Sequence, residues 1–398
     1  MLKINPLSTL YVGIDVSSKS NYVCALDFFK NKYINSSFAN NQPGAEELAL
    51  KILECLNQHP DLTMVVAALE STSVYSIHIA NYLSSCEELM RFKPYVFVLN
   101  PKCTANYKKS YIGLGKSDPI DAFVIADYAR AGNIESEPWR GSQFLALKRL
   151  TRHRLHLVEC MTREKTYLIS NLYLKFSELQ MLEGDDQPFC DIYGATSSSV
   201  LMEYLSPEEI LVSSEEDLIA FLAEKSRNRI KDISKTADLL KKAARDSYRL
   251  DKALYEPLNV SIASSFNCIE TFKREIKVID NAIEKEIKGL NPNAFIILQS
   301  IDGIGPVFAG GIIAEIGDIT AFHSSDALAK YAGLTWKSNQ SGDFDGEDTP
   351  MIKAGNRYLR YYLGEAANSM RKHNVEYGAY SVTYTHLRAH ETVLDLVC

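Results

Sequence analysis

Four acidic residues stand where a folded chain needs a reason for them. Asp15 lies in the apolar run LYVGIDV at residues 10–16, where a charge needs a partner or a metal to offset its desolvation. Glu70 ends a second apolar run, MVVAALE, just ahead of Ser71, Thr72 and Ser73. Asp118 and Asp121 sit in KSDPIDAFVIADYAR, and residues three apart on a helix share a face. Each has an ordinary reading as well: a strand-end acid or turn former for Asp15 and Glu70, and a helix N-cap followed by proline for Asp118. Together, four carboxylates form an oxygen-rich set suited to Mg²⁺ or Mn²⁺. Two such ions about 3.5–4 Å apart activate a nucleophile and stabilise the leaving oxygen in phosphoryl transfer.

The basic residues are grouped. Between 148 and 165, Lys148, Arg149, Arg152, Arg154, Arg163 and Lys165 outnumber Glu159 and Glu164, which fits either a solvated helix face or a nucleic-acid contact. Residues 223–252 hold ten Lys or Arg, including Lys241, Lys242 and Arg245, against five acids. That surplus is the clearest electrostatic footprint for a phosphate backbone. Gly303 and Gly305, with Pro306 behind them, allow a tight turn between two helices whose backbone N–H groups can bind a phosphate. A plain packing corner has the same pattern. Ser341 before Gly342 reads by itself as a loop residue, and Arg357 and Arg360 as surface charges three apart on a helix.

Residues 10–16, 21–29 and 32–38 form a three-strand meander by their β-rich pattern. A helix after Pro43-Gly44, strands from Met64 and over 95–99, a helix from Val74 and a helix beyond Asp118 complete an α/β layered domain over 1–135. Long helical runs over 144–182 and 261–290 predict an antiparallel coiled-coil arm within 136–294, with 184–212 as a turn-rich excursion. A mainly helical domain follows over 295–384, opened by the helix-hairpin-helix-like segment at 298–318.

Composition narrows the class. The 398 residues carry a net charge of −7, which excludes a uniformly basic nucleic-acid coat but not local basic surfaces. Eight scattered cysteines form no C-x-x-C, against a zinc module or a disulfide framework. No secretory leader and no membrane-length apolar run is present, so the expectation is a cytoplasmic protein without a membrane partner.

A strand acid in a meander, an acid ending the fourth strand and a helical acid pair resemble the RNase H-like nuclease layout. More specifically, YVGIDVSS, ALEST, NPKCTANYKKS and KSDPIDAFVIADYAR resemble the catalytic blocks of the RuvC-like DEDD transposases of insertion-sequence family one-hundred-and-ten, related to the Piv-type DNA invertases. IDGIGPVFAGGIIAEIGD, YAGLTWKSNQSGDF and KAGNRYLRYYLGEAAN resemble that family's C-terminal transposase domain. The resemblance implies that Asp15, Glu70, Asp118 and Asp121 form the metal-binding tetrad. It makes Ser341 the nucleophile that holds a DNA strand as a phosphoserine, and Arg357 and Arg360 phosphate clamps. It also implies DNA and a noncoding bridge RNA as partners, the latter meeting the basic arm. The final SVTYTHLRAHETVLDLVC departs from the family's basic helix, so 385–398 reads as a non-native tail in which His386 and His390 are not ligands. A RuvC-like nuclease that uses water, and a nucleic-acid-binding protein without catalysis, are the two alternatives. Because the arm separates Ser341 from the acids, the expected assembly is a homo-oligomer, a dimer or tetramer, with sites shared between subunits.

Overall fold

The computed structural model describes residues 4–382 apart from 135–137, 140, 337–339, 342–343 and 346–349, with the backbone alone at 340–341 and 344–345. The chain divides into two compact units, 1–146 with 317–329, and 147–316 with 330–398.

The first unit is built on β1 (Thr9–Val16), β2 (Ser20–Leu26) and β3 (Lys32–Ala39), then α1 (Gln42–Gln58), β4 (Met64–Glu70), α2 (Tyr75–Ser85), β5 (Tyr95–Leu99), α3 (Pro101–Lys108) and α4 (Asp118–Arg130). The sheet order is β3-β2-β1-β4-β5. The first three strands pair antiparallel, while β4 lies parallel to β1 and β5 parallel to β4. Side chains alternate across a strand, so the sheet sorts its residues into two cores. Leu10, Val12, Ile14 and Val16 join Val65, Ala67 and Leu69 on the face covered by α1 and α2, through Leu48, Ile52, Ile79 and Leu83. Tyr11, Cys24, Leu26, Val66, Ala68 and Phe97 face Ala122, Ile125, Ala126 and Ala129 of α4.

Gly13 sets how closely α4 approaches. A Cβ at that position would lie 2.2 Å from the Ala122 carbonyl oxygen and 2.3 Å from the Ala126 nitrogen. With alanines on the helix and a glycine on the strand, the α4 backbone rests directly on β1. Two local details differ from the sequence expectation. β2 ends at Leu26 rather than Phe29, because Asp27 accepts from the Asn31 backbone at 2.9 Å and closes a turn there. Ser117 is the N-cap of α4, so Asp118 is already its first helical residue.

The second unit is helical. α5 (Ser142–Lys175) leads into α6 (Ala195–Glu203), α7 (Pro207–Val212), α8 (Glu215–Ser226), α9 (Ile233–Asp246) and α10 (Lys252–Leu290). Within residues 184–212, read as turn-rich, α6 and α7 are helices whose Val200, Leu201 and Ile210 join a core with Leu218, Leu222 and Leu240. α10 starts at Lys252, ahead of the expected 261, and takes Pro257 into its second turn. α5 and α10 run antiparallel: Leu168 and Leu172 share a core with Ile262 and Phe266, whereas Leu147 shares one with Ile283 and Ile287. Arg154 and Asp280 link them at 2.5 Å.

α11 (Pro292–Gln299) and α12 (Pro306–Ile316) enclose the glycine turn, followed by α13 (Ser325–Ala332), the short pair β6 (Gln340–Ser341) and β7 (Phe344–Asp345), and α14 (Arg357–His373). Gly311 lets α12 sit against the Tyr362 ring, which a Cβ would meet at 2.4 Å. No helix among the described residues is long and apolar enough to cross a membrane.

Replacing Gly13 with valine forces α4 off the sheet, because its close contacts are backbone atoms that cannot rotate away. Gly13→Val is expected to cost about 3 kcal/mol or more, read as a lower denaturation midpoint in urea.

Candidate active site

The register of the sheet brings Asp15 and Glu70 together. Gly13 lies opposite Ala68 and Ile14 opposite Leu69 on parallel neighbours, which puts Asp15 level with Glu70. Alternation then turns both toward the α4 face, with Tyr11 and Gly13 on one strand and Val66 and Ala68 on the other. Because α4 crosses β1 at Gly13 near its start, its first turn lies over Asp15. Asp118 and Asp121 belong to that turn.

Electrostatics report the same convergence. Burial first, then the negative charges of Asp121, Asp118 and Glu70, push the Asp15 carboxyl up to about 6, and the positive charge of Lys108 opposes them. Lys108 on α3 forms an ion pair with Asp121, and the Thr104 hydroxyl donates to Glu70. Among the described residues, no three acidic, histidine or cysteine side chains stand close enough to hold a metal ion between them. Glu70 and Asp121 turn to separate partners, Thr104 and Lys108, and what the four acids share is backbone placement.

One buried carboxylate was not foreseen. Asp127, two turns along α4, is fully buried and accepts from the Tyr107 hydroxyl at 2.8 Å, from Tyr111, and from Arg130 Nε at 2.6 Å, with Lys30 Nζ at 3.2 Å. Burial alone would raise its pKa, yet the Tyr111, Arg130 and Tyr107 hydrogen bonds hold it below the usual range. The reasoning that singled out Asp15, an acid in an apolar run, applies equally to Asp127 in VIADYAR.

The basic residues separate into distinct environments. Arg152 makes two hydrogen bonds to the buried Glu315, Nε to Oε1 at 2.8 Å and Nη2 to Oε2 at 2.9 Å, with Lys148 Nζ at 3.8 Å. Asn356 donates to the same carboxylate at 2.8 Å. Arg154 is held by Asp280, Lys241 donates to the Ser213 carbonyl, and Lys242 lies 3.7 Å from Asp186. Arg245 is exposed. Arg357 pairs with Glu159 at 2.7 Å, and Arg360 donates to the carbonyls of Ala332 and Lys353. Arg149, His153, His156 and Arg163 remain exposed along α5, and helical spacing puts them on one side. Histidines were not part of the charge count, so this face was legible only by its arginines.

Gly303 adopts φ +95°, and a Cβ there would meet Met370 of α14 at 2.8 Å, so that glycine serves the turn and its packing. Nothing lies within 4 Å of a Cβ at Gly305, which leaves this side of the turn open. Ser341 is described by its backbone in β6, paired with Phe344. Thr385 onward, with His386 and His390, lies outside the described residues.

Residues 12–177 match a family model for DEDD-type IS110 transposases, and residues 296–381 match a model described as Transposase IS116/IS110/IS902 family. A mixed sheet unit and a helical unit, each matched by a transposase model, define an insertion-sequence transposase. The chain belongs to the IS110 family. It is 25% identical to the 42 kDa protein of insertion element IS900 from Mycobacterium paratuberculosis, over 89% of this chain and 83% of that protein. It is 24% identical to the 44.8 kDa protein of IS116 from Streptomyces clavuligerus, over 91% of this chain and 85% of that one. A pilin gene-inverting protein of Moraxella lacunata is 26% identical over 40% of this chain and 46% of its own length.

Glu315 provides a pH test of the second unit. Burial alone would raise its pKa, but the Arg152 hydrogen bonds, the Lys148 and Arg152 charges and Asn356 together hold it below its ordinary value of 4.5. Its stabilising contribution is therefore complete above pH 4.5 and lost as pH falls through the lowered folded value. Glu315→Gln is expected to remove about 2–3 kcal/mol at pH 7 and to flatten this part of the acid limb, as measured by denaturation at a series of pH values.

Proposed function

We propose that this transposase cuts and exchanges DNA strands with a divalent ion held by Asp15, Glu70, Asp118 and Asp121, using Ser341 as the nucleophile. The observation that carries the reading is the placement of the four acids at one end of the sheet, where burial and then the charges of the other three raise Asp15. The strand order β3-β2-β1-β4-β5, antiparallel in its first three strands and parallel beyond, supports an RNase H-like domain of the RuvC type. DEDD transposases generally use a divalent metal. The donor set fits Mg²⁺ or Mn²⁺: carboxylate oxygens only, carrying more negative charge than the chain itself neutralises there.

When bound, such an ion supplies positive charge at the scissile phosphate and lowers the pKa of an attacking hydroxyl. The protein's own part is placement. β1 and β4 fix two carboxylates through strand register, α4 fixes two through its first turn, and Gly13 sets the distance between these elements. The Ser341 hydroxyl oxygen forms the bond to phosphorus while a DNA sugar oxygen leaves with the electron pair, and the serine proton passes to a base or to solvent. Arg357, Arg360 and the open glycine turn at Gly303 and Gly305 then belong to the DNA surface, as do Arg152, Arg154, Lys241, Lys242 and Arg245 of the helical unit. Their ion pairs exchange for phosphate contacts or position neighbours that make them.

A noncoding bridge RNA as guide, and a homo-oligomer in which one subunit's serine domain completes another's acid site, extend this reading. The family resemblance supports both. Sequencing the RNA that copurifies with the protein tests the first. Mixing Asp15→Asn subunits with Ser341→Ala subunits tests the second, since verified hetero-oligomers recover activity only if sites are shared.

A second reading is a nuclease that uses water, favoured by the fact that all four acids belong to the first unit alone. Denaturing gels of protein with labelled DNA separate the two. A covalent adduct that disappears in Ser341→Ala supports the serine route, whereas cleavage without any adduct supports water. Asp15→Asn and Asp121→Asn are expected to lower strand cleavage below detection, about 10³-fold or more, because the shape survives while the charge that holds the ion is lost. Full activity in either variant removes the acid set from the mechanism.

A further inference from the structure

A positive charge already sits among the four acids, and it belongs to the chain. Thr104 and Lys108 are one turn apart on α3 and so face the same side of that helix. Each reaches a different member of the acid set. Thr104 donates its hydroxyl to Glu70, and Lys108 forms the ion pair with Asp121 while its charge also acts on Asp15. α3 is also tied down on α4 further along: Tyr107, and Tyr111 just beyond the helix, donate to the buried Asp127.

The two ion-pair systems of α4 differ in exposure. The Asp127 side chain is 0% exposed, whereas Lys108 and Asp121 are 23% and 26% exposed. A fully buried carboxylate is costly to strip of its partners, while a partly solvated ion pair is weak and exchanges partners readily. Lysine is also a compact charge on a flexible four-carbon stem, so it can leave without moving the backbone of α3.

We propose that Lys108 is a built-in counter-ion of the acid set, neutralising Asp121 in the metal-free protein and displaced when the divalent ion binds. This rests on the metal reading above and assigns a positioning role to a residue outside the tetrad. Metal binding is then an exchange of one cation for another. Removing the ammonium leaves the acids uncompensated, which weakens the metal-free fold but makes the site take up a divalent ion more avidly.

The test uses the full-length protein without nucleic acid. Mn²⁺ binding is followed by the electron paramagnetic resonance of the free ion in wild type, Lys108→Met, Lys108→Arg and Asp15→Asn. Lys108→Met is expected to bind Mn²⁺ several-fold more tightly than wild type, while Lys108→Arg, which keeps the charge, binds no more tightly. The thermal midpoint of Lys108→Met should fall in metal-free buffer and rise with Mn²⁺ by more than that of wild type. Equal or weaker Mn²⁺ binding in Lys108→Met, with binding lost in Asp15→Asn, overturns the counter-ion role and leaves the metal site standing. If wild type and Lys108→Met bind no Mn²⁺, or Asp15→Asn binds it as well as wild type, the metal reading falls and the counter-ion falls with it. Should Lys108→Met fail to fold without metal, refolding in Mn²⁺ decides: recovery supports the proposal and no recovery overturns it.

Discussion

The close approach of α4 to β1 at Gly13 is the contact on which the candidate site depends. Two of the four acids come from strands and two from one helical turn, and no sequence-local geometry relates the strand acids to the helical pair. Their relation is set where a strand residue without a side chain meets the backbone at Ala122 and Ala126. A larger residue at Gly13 would lift the helix and withdraw its first turn from the strand ends together with Asp118 and Asp121. The packing that completes the apolar core on that face also positions the polar end, so stability and site geometry share one interface.

The structure treats its carboxylates in two ways. Asp127 and Glu315 are sealed from solvent, and each is surrounded by enough donors to remain charged: two tyrosines, an arginine and a lysine for the first, an arginine, a lysine and an asparagine for the second. Both are held below their ordinary pKa. Asp15 is pushed the opposite way, by burial first and then by the charges of the other acids, which Lys108 offsets in part. An acid that is over-provided with donors holds structure together. One that is under-provided is a candidate for function, since a perturbed carboxyl among like charges is what such sites present.

The helical unit illustrates the same point for cations. A cluster of basic residues along α5 divides once the fold forms, with Arg152 and Arg154 drawn to Glu315 and Asp280 while Arg149 and Arg163 stay exposed. The antiparallel pairing of α5 with α10 through two shared cores backs the exposed face.

The sequence by itself determined the order of strands and helices in the first unit, since alternation and helical spacing are local properties, and β1, β4, β5 and α4 lie where their patterns indicated. It also determined which acids needed explaining, because an Asp inside LYVGIDV is anomalous wherever the strand ends up. What it left open was pairing. The helices α6 and α7 in a stretch rich in turn residues, and the partners that Arg152 and Asp127 find in Glu315 and Tyr107, depend on residues distant in the chain. Lys108 is the clearest case. In NYKKS it is one of two adjacent lysines of equal chemistry, and only the placement of α3 beside α4 decided that this one meets Asp121 while Lys109 turns to Asn106. Spacing along a chain fixes which residues share a face, but the charge opposite that face is supplied by another element, and tertiary packing alone selects it.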